Sequence, residues 1–204
     1  MLFRSKICNL AASHATGDYL LFLNDDAAPL EREWLSEMLS ICQQENVGIV
    51  GAKLVLASNA IQHAGVALLE TGAAFHPMQR LDGNSKGYFG FLNVIRNCSA
   101  VTGACLLIRK KIFDKVNGFD DKFDLYYQDV DLCLKVEKEG RRIVYTPYAL
   151  LLHQGSSSIK KQSRAFFAVE NHYKFLKKWP NLRKGDPYYN TNFGWDYKIK
   201  TEKR

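Results

Sequence analysis

The sequence lacks the features that define several large classes of protein. Its longest apolar runs, such as Tyr19 to Leu23 and Tyr148 to Leu152, fall far short of the ~20 residues that a membrane-spanning helix needs. The five cysteines are odd in number and scattered, with no CxxC or CxxH spacing, which argues against a zinc site or a disulfide framework. No leader-like apolar segment follows Met1. Reduced cysteines and the missing leader predict a cytoplasmic chain.

The positive charge is concentrated near the end of the chain. The net charge is +7, and residues 158–204 hold 12 Lys and Arg against 4 Asp and Glu, a local charge of +8. No recognised nucleic-acid motif accompanies this charge, so we expect no nucleic-acid partner. The basic segment is then either a solvated helix face or a surface that makes peripheral contact with the inner face of a membrane.

Predicted strands alternate with predicted helices along the chain. The strands are expected over 19–23, 47–56, 61–69, 100–108, 142–146 and 150–153, and the helices over 5–16, 31–45, 110–116, 126–139 and 163–178. This order predicts an α/β fold with a mixed, mainly parallel sheet flanked by helices. We expect residues 1–157 to form the core domain, with 158–204 as a basic amphipathic helix and aromatic tail packed on it. Residues 70–96 look irregular, and so long a connection indicates function.

The first candidate site is the run Asn24-Asp25-Asp26, which follows the apolar strand 19–23. Ligands of open α/β sheets bind beyond the carboxyl ends of strands. Adjacent carboxylates at such an end are hard oxygen ligands suited to Mg²⁺ or Mn²⁺, which in turn bind diphosphates. A plain turn is the alternative, because Asn and Asp are common turn formers.

Two more candidates follow later in the chain. Asp129 and Asp131 lie near a predicted helix start, where the exposed N–H groups favour carboxylates whether or not they have a chemical role. Either carboxylate could also act as a general base on a hydroxyl. His153 ends an apolar strand, where it is either a satisfied, partly buried side chain or a metal ligand.

Taken together, these motifs resemble those of family 2 glycosyltransferases, particularly bacterial members that build surface polysaccharides. The resemblance spans about residues 2–192 and rests on several separate motifs, which are residues 3–9, 17–26, 61–66, 100–109, 118–120, 128–134, His153 and 186–190. It implies a GT-A-like fold and an inverting, single-displacement transfer of a sugar from a nucleotide-sugar donor. A UDP- or dTDP-sugar is the expected donor, and a saccharide or lipid-linked hydroxyl is the expected acceptor.

The resemblance also implies roles for individual residues. Asp26 and His153 match the ligands of a divalent cation, Mg²⁺ or Mn²⁺. Asn24 and Asp25 match donor-binding residues, as do Thr102 and Gly103, which lie in a stretch expected near both sugars. Asp129 matches the catalytic base. Gln128 departs from the family, which often has Glu at this position.

Members of this family normally begin with a strand and loop that bind the nucleotide base, ahead of the Phe3 region. The sequence shows no such segment, so we expect a sheet lacking the first nucleotide-binding strand or strands, in an N-terminally truncated chain. An alternative function is therefore an inactive GT-A remnant that serves as an interaction module. A nucleotidyltransferase ranks last, because no Gly-rich phosphate loop with a basic residue is visible.

Overall fold

A seven-stranded sheet forms the centre of the molecule in the computed structural model, which describes residues 4–123, 126–154, 161–190 and 192–193, with the backbone alone for 161–167 and 183–184. The strands are β1 (Tyr19–Leu23), β2 (Ala27–Pro29), β3 (Val47–Val55), β4 (Ile61–His63), β5 (Ala67–Leu68), β6 (Ala74–Phe75), β7 (Arg96–Asn97), β8 (Cys105–Arg109) and β9 (Arg142–His153). The helices are α1 (Arg4–His14), α2 (Trp34–Cys42), α3 (Lys110–Lys115), α4 (Gln128–Lys138) and α5 (Lys161–Lys178), with 3₁₀ turns at Tyr88–Gly90 and Pro180–Lys184.

The sheet is mixed, as predicted, but the expected predominance of parallel pairing is wrong. The strand order is β1-β8-β3-β9-β2, with β4 paired to β3 and β7 to β9, while β5 and β6 form a separate small sheet. Among the described residues, β3 and β9 are the parallel pair, whereas β8 runs antiparallel to both of its neighbours. A parallel neighbour needs a crossover connection of a dozen or more residues, usually a helix. Here the chain connects β3 to β8 through the largely irregular segment 56–104, which contains no α-helix.

Several predicted strand boundaries also differ from the structure. The strand expected over 61–69 is two strands, β4 and β5, because Gly65 between them has a left-handed φ of 88°. The two strands expected over 142–153 are one strand, β9, whose pairing to β3 shifts register between Ala52 and Lys53. Strand β2 was not predicted from the sequence; it lies at a sheet edge, where Pro29 costs no ladder hydrogen bond.

Both faces of the sheet are covered, so β3 is buried at all nine positions. Ile49 belongs to the larger apolar cluster, which includes residues of α3 and α4. Val50 and Leu54 belong to a second cluster with residues of α2 on the other face. Burial on both faces explains why this strand reads as a nearly continuous apolar run.

Helix α1 docks through polar contacts and through the small residues Cys8 and Ala12, while its larger apolar side chains are exposed. Ile7 and Leu10 are 49% and 56% exposed. The Asn9 side chain instead donates to Phe119 O at 2.8 Å and accepts from Phe119 N–H at 2.9 Å. The buried Ser5 hydroxyl donates to Phe123 O at 2.9 Å. These bonds hold the start of α1 against the segment that leads to α4.

The C-terminal elements contact the rest of the fold through a few buried side chains. Phe175 of α5 and Trp179 belong to the larger apolar cluster. Tyr189 and Phe193 pack on Ala67 of β5 in a separate small cluster. The first part of the predicted amphipathic helix, including Phe166 and Phe167, lies outside the residues whose side chains are described. None of the described helices is both long and apolar enough to cross a membrane.

Candidate active site

The two expected metal ligands lie side by side because β2 pairs with β9. After β1 the chain turns, and Ala27 N–H donates to Asn24 O at 3.1 Å. The pairing of β2 with β9 sets Ala27 opposite His153. Asp26 immediately precedes this position, and its Oδ1 lies 3.0 Å from His153 Nε2. A short edge strand that the sequence analysis missed thus brings the two residues together.

Each ring nitrogen of His153 has a partner. Nδ1 donates to Gln62 Oε1, so Nε2 is the unprotonated nitrogen of the neutral ring. Asn24 Nδ2 donates to Nε2 at 3.0 Å. The same lone pair faces the Asp26 carboxylate, an arrangement that becomes favourable when a proton or cation lies between the two groups.

These donor atoms fit a divalent cation as a two-residue site. An imidazole nitrogen and a carboxylate oxygen are both ligands that Mn²⁺ accepts. The hydrogen bond from Nδ1 to Gln62 orients the ring, as the hydrogen-bond partners of metal-bound histidines do. In the part of the chain that the structure describes, no cluster of three or more His, Cys, Asp or Glu side chains could hold a metal. A cation held by Asp26 and His153 would therefore take its remaining ligands from groups other than the described His, Cys, Asp and Glu side chains.

Asn24 is fixed from both sides, whereas Asp25 is not. The Asn24 backbone N–H donates to Ala104 O at 2.9 Å, and the Asn24 side-chain Oδ1 accepts from the Arg4 guanidinium. Arg4 also donates to Gly103 O at 2.7 Å. Asp25 is exposed and makes no hydrogen bond or ion pair within the described residues. Arg4, whose role was not predicted from the sequence, places a positive charge beside Asn24.

Asp129 is held at the start of α4 by two backbone N–H groups. Gly103 N–H donates to Oδ2 at 2.9 Å, and Val130 N–H donates to Oδ1 at 2.9 Å. The helix follows directly on Tyr127, whose left-handed φ of 69° turns the chain into the first helical residue. Left-handed backbone at a bulky residue is uncommon and concentrates at functional sites. Each carboxylate oxygen keeps a lone pair for a further donor.

One cavity of about 510 Å³ connects these groups. Four of the seven predicted site residues, Asn24, Thr102, Asp129 and His153, line it. Gly103 contacts Asp129 through its N–H, and Asp26 contacts His153, so both lie next to the cavity wall. Asp25 has no recorded contact with this group. The cavity is also lined by polar residues whose roles the sequence analysis did not predict, namely Arg4, Gln62, His63, His76, Gln79, Tyr126, Tyr127 and Gln128.

His63 and His76 form a pair in the cavity wall. Their Nδ1 atoms are 2.9 Å apart, and His63 Nε2 accepts from Gly65 N–H at 3.2 Å and Thr102 N–H at 3.4 Å. Burial lowers the pKa of His63 well below its usual range, and the charges of His76 and Arg96 act in the same direction. Burial also lowers the pKa of His76, against the opposing charge of Asp129. Both rings are therefore neutral at neutral pH.

Polar contacts connect the end of helix α5 and the residue after it to the start of α4. The Tyr127 hydroxyl and His172 Nδ1 form a hydrogen bond of 2.8 Å. Asp131, which is completely buried, accepts from Trp179 Nε1 at 2.9 Å and from Lys178 Nζ at 2.7 Å. Lys178 also pairs with Asp120 at 2.6 Å. Asp131 is thus held by partners that stabilise the fold, whereas Asp129 lines the cavity. The structure therefore distinguishes two carboxylates that look alike in the sequence.

Comparison with known proteins identifies the family and the fold type of the chain. The model of the "Glycosyltransferase like family 2" family matches residues 3–172. The O-antigen biosynthesis protein RfbC of Myxococcus xanthus is 38% identical over 185 residues, which cover 90% of this chain and 14% of that protein. The protein y4gI of Sinorhizobium fredii is 39% identical over 193 residues, which cover 92% of this chain and 21% of that protein. This chain therefore spans about a fifth or less of the length of these relatives.

Solved structures show the same fold at low sequence identity. GalNAc-T7 with UDP, GalNAc and Mn²⁺ has a TM-score of 0.65 at 13% identity, covering 90% of this chain and 36% of that one. The mannosyltransferase PcManGT from Pyrobaculum calidifontis, in complex with GDP-Man and Mn²⁺, has a TM-score of 0.56 at 15% identity, covering 86% and 44%. The chain belongs to the family 2-like glycosyltransferases and has an α/β fold of the GT-A type, which confirms both predictions.

Proposed function

We propose that the protein is an inverting glycosyltransferase that moves a sugar from a nucleotide-sugar donor to an acceptor hydroxyl. The observation that carries this proposal is that Asp129 and His153 line one cavity, with Asp26 Oδ1 3.0 Å from His153 Nε2. A carboxylate base and a two-residue metal site around one space are what a single displacement requires. The base serves the incoming hydroxyl, and the metal site serves the leaving diphosphate.

Asp26 Oδ1 and His153 Nε2 would hold the divalent cation, Mg²⁺ or Mn²⁺. When bound, the cation offsets the negative charge that builds on the departing diphosphate. The chain's own contribution is to orient these ligands. Gln62 fixes the His153 ring through Nδ1, and Asn24 is held by Arg4 and the Ala104 carbonyl.

Asp129 takes the proton from the attacking hydroxyl in this proposal. Its two oxygens are already anchored by Gly103 N–H and Val130 N–H, so the carboxylate is held in place before the acceptor binds, and such preorganisation reduces the cost of reaching the transition state. Asn24, Asp25, Thr102 and Gly103 are the proposed donor-binding residues. Because Asp25 is exposed, its contact would form with the donor bound.

We assign the donor to the UDP- or dTDP-sugars and the acceptor to a saccharide or lipid-linked hydroxyl. Support comes from relatives named for O-antigen synthesis and, over 71 residues at 36% identity, for an L-rhamnosyltransferase acting on N-acetylglucosaminyl-diphospho-decaprenol in Mycobacterium tuberculosis. Such a role in building the cell surface or cell wall fits a cytoplasmic protein at the inner face of the membrane. Cosedimentation with phosphatidylglycerol vesicles tests this location, and equal recovery with neutral vesicles would count against it.

The test of the reaction is an assay of the protein with a panel of UDP- and dTDP-sugars, with Mn²⁺ or Mg²⁺, and with methyl hexosides as acceptors. We expect Asp129→Asn to lower kcat by about 10²- to 10⁴-fold, the usual contribution of a general base. Asp114→Asn, an exposed carboxylate paired with Lys110, is the matched control and should retain wild-type activity. NMR of the product should show the inverted anomer.

Two outcomes would overturn the proposal. Wild-type turnover by Asp129→Asn would remove the assignment of the base, and a retained anomeric configuration would exclude single displacement. Binding of Mn²⁺ and nucleotide without any turnover by the wild-type protein would favour the non-catalytic interaction module instead.

A further inference from the structure

The contacts of His63 and His76 determine where each ring carries its proton. Two backbone N–H groups, those of Gly65 and Thr102, point at His63 Nε2. A backbone N–H can only donate, so Nε2 is an acceptor and the proton of the neutral ring is on Nδ1. His63 Nδ1 lies 2.9 Å from His76 Nδ1 and donates to it. The remaining proton of neutral His76 is therefore on Nε2.

This chain of hydrogen bonds leaves one donor available to the cavity. His76 lines the same cavity as Asp129, and it is near enough for the Asp129 charge to oppose the effect of burial on its pKa. Within the described residues, His76 Nε2 makes no hydrogen bond. It is also not one of the fully buried atoms without a partner, so it is accessible. It is therefore an accessible N–H group on a residue that lines the same cavity as the proposed base.

We propose that His76 Nε2–H donates a hydrogen bond to an acceptor hydroxyl next to the one that Asp129 deprotonates, and that His63 positions it by fixing its tautomer. The inference rests on the proposed function, because it assigns the acceptor side of that cavity. The attacking oxygen must direct a lone pair at the donor sugar, whereas its neighbour has lone pairs free to accept. A carboxylate and a fixed N–H donor that line one cavity thus suit a pair of adjacent hydroxyls, as found on a pyranose ring.

The loop that carries His76 has strained backbone conformations of the kind that concentrate at binding sites. Met78 and Arg80, on either side of Gln79, both have left-handed φ values, of 61° and 73°. Such conformations cost energy at residues other than glycine and persist where the surrounding structure fixes them. Arg80 N–H donates to Ile61 O at 2.8 Å, which ties this loop to β4 beside His63. The two histidines therefore belong to one connected unit.

The first test is the tautomer itself, which needs no substrate. Long-range ¹H–¹⁵N NMR of the 204-residue chain at pH 7 should show His63 protonated on Nδ1 and His76 on Nε2. In His63→Leu the donor to His76 Nδ1 is lost, so the His76 ring should populate both tautomers, whereas the exposed His14 should be unaffected in both proteins. A wild-type His76 protonated on Nδ1 would overturn the inference.

The second test measures acceptor use with methyl hexosides and a saturating nucleotide sugar. We expect His76→Leu to raise the acceptor KM by about 10-fold, the effect of one lost hydrogen bond, with the donor KM unchanged. His76→Gln, whose amide N–H can replace Nε2–H, should recover most of this loss, and His14→Leu serves as the control. Equal losses in His76→Leu and His76→Gln, or a matching rise in donor KM, would overturn the inference alone. A wild-type protein without any transfer would instead overturn the proposed function.

Discussion

Asp26 Oδ1 and His153 Nε2 lie 3.0 Å apart at the edge of the sheet where β2 pairs with β9. Neither residue is near the other in sequence, and the pairing of Ala27 with His153 sets their separation. Because His153 is almost completely buried and Asp26 is partly exposed, the pair presents its donor atoms from the protein wall toward solvent-accessible space. This geometry leads to the first prediction.

Gln62→Ala should weaken Mn²⁺ binding without removing a metal ligand. Gln62 Oε1 accepts from His153 Nδ1, and loss of such an outer partner typically lowers metal affinity about 10- to 100-fold. The measurement is a Mn²⁺ titration in the presence of UDP, followed by electron paramagnetic resonance. Gln43→Ala removes an exposed glutamine side chain at the end of α2 and should leave affinity unchanged. Wild-type affinity in Gln62→Ala would argue against His153 as a ligand.

Asp131→Ala should destabilise the fold, in contrast to substitutions at exposed carboxylates. Asp131 is completely buried and accepts from Trp179 and Lys178. Its removal leaves the buried indole N–H of Trp179 without an acceptor and removes one of the two carboxylates that Lys178 contacts. We expect a loss of about 2–3 kcal/mol in the free energy of unfolding by urea.

The control for this variant is Asp114→Ala, which breaks an exposed pair with Lys110 and should cost less than about 0.5 kcal/mol. Similar losses in the two variants would show that the contacts of Asp131 with α5 and Trp179 contribute little to stability.

Asp120 should make stability depend on acid pH. Burial alone would raise the pKa of Asp120, but hydrogen bonds from Lys178 Nζ and Lys122 N–H outweigh it and lower the pKa below 3.8. The unfolded state then binds the proton more readily than the folded state. The stabilisation is therefore fully present above about pH 5 and is lost as the pH falls through the unfolded and then the folded pKa.

The measurement is the free energy of unfolding of wild type and Asp120→Asn between pH 7 and pH 2. Their difference, about 1 kcal/mol for one charged hydrogen bond, should stay constant down to about pH 5 and shrink below pH 4. A difference that grows on acidification would contradict the predicted sign.

Gly51→Ala should be destabilising because the centre of β3 has no room for a methyl group. A Cβ at Gly51 would lie 2.4 Å from Val101 Cβ, inside the larger apolar cluster. Overpacking of this kind costs about 1–3 kcal/mol. The measurement is thermal unfolding of the variant and of a control, Gly17→Ala. The Cβ added at Gly17 would lie 3.5 Å from its nearest atom, Tyr19 O, so the control should be tolerated. A neutral Gly51→Ala would mean that Val101 moves freely.

The sequence by itself determined the family, the GT-A type of α/β fold and the local setting of each motif. The apolar run Tyr19–Leu23 is β1, and Asp129 does lie in the first turn of α4. These are local properties, since an apolar run followed by turn-forming residues, or acids at a helix start, is specified within a few residues. The roles assigned to Asn24, Asp25, Asp26, Thr102, Gly103, Asp129 and His153 remain predictions.

Only the tertiary structure decided which of these residues meet and what else meets them. The antiparallel placement of β8 and the pairing of β2 with β9 depend on contacts between distant parts of the chain, which no local pattern encodes. The same holds for Asp131, which the fold buries against Trp179, and for the His63–His76 pair. Residue type and position supplied the candidate groups, and strand register and burial determined which of them share one cavity.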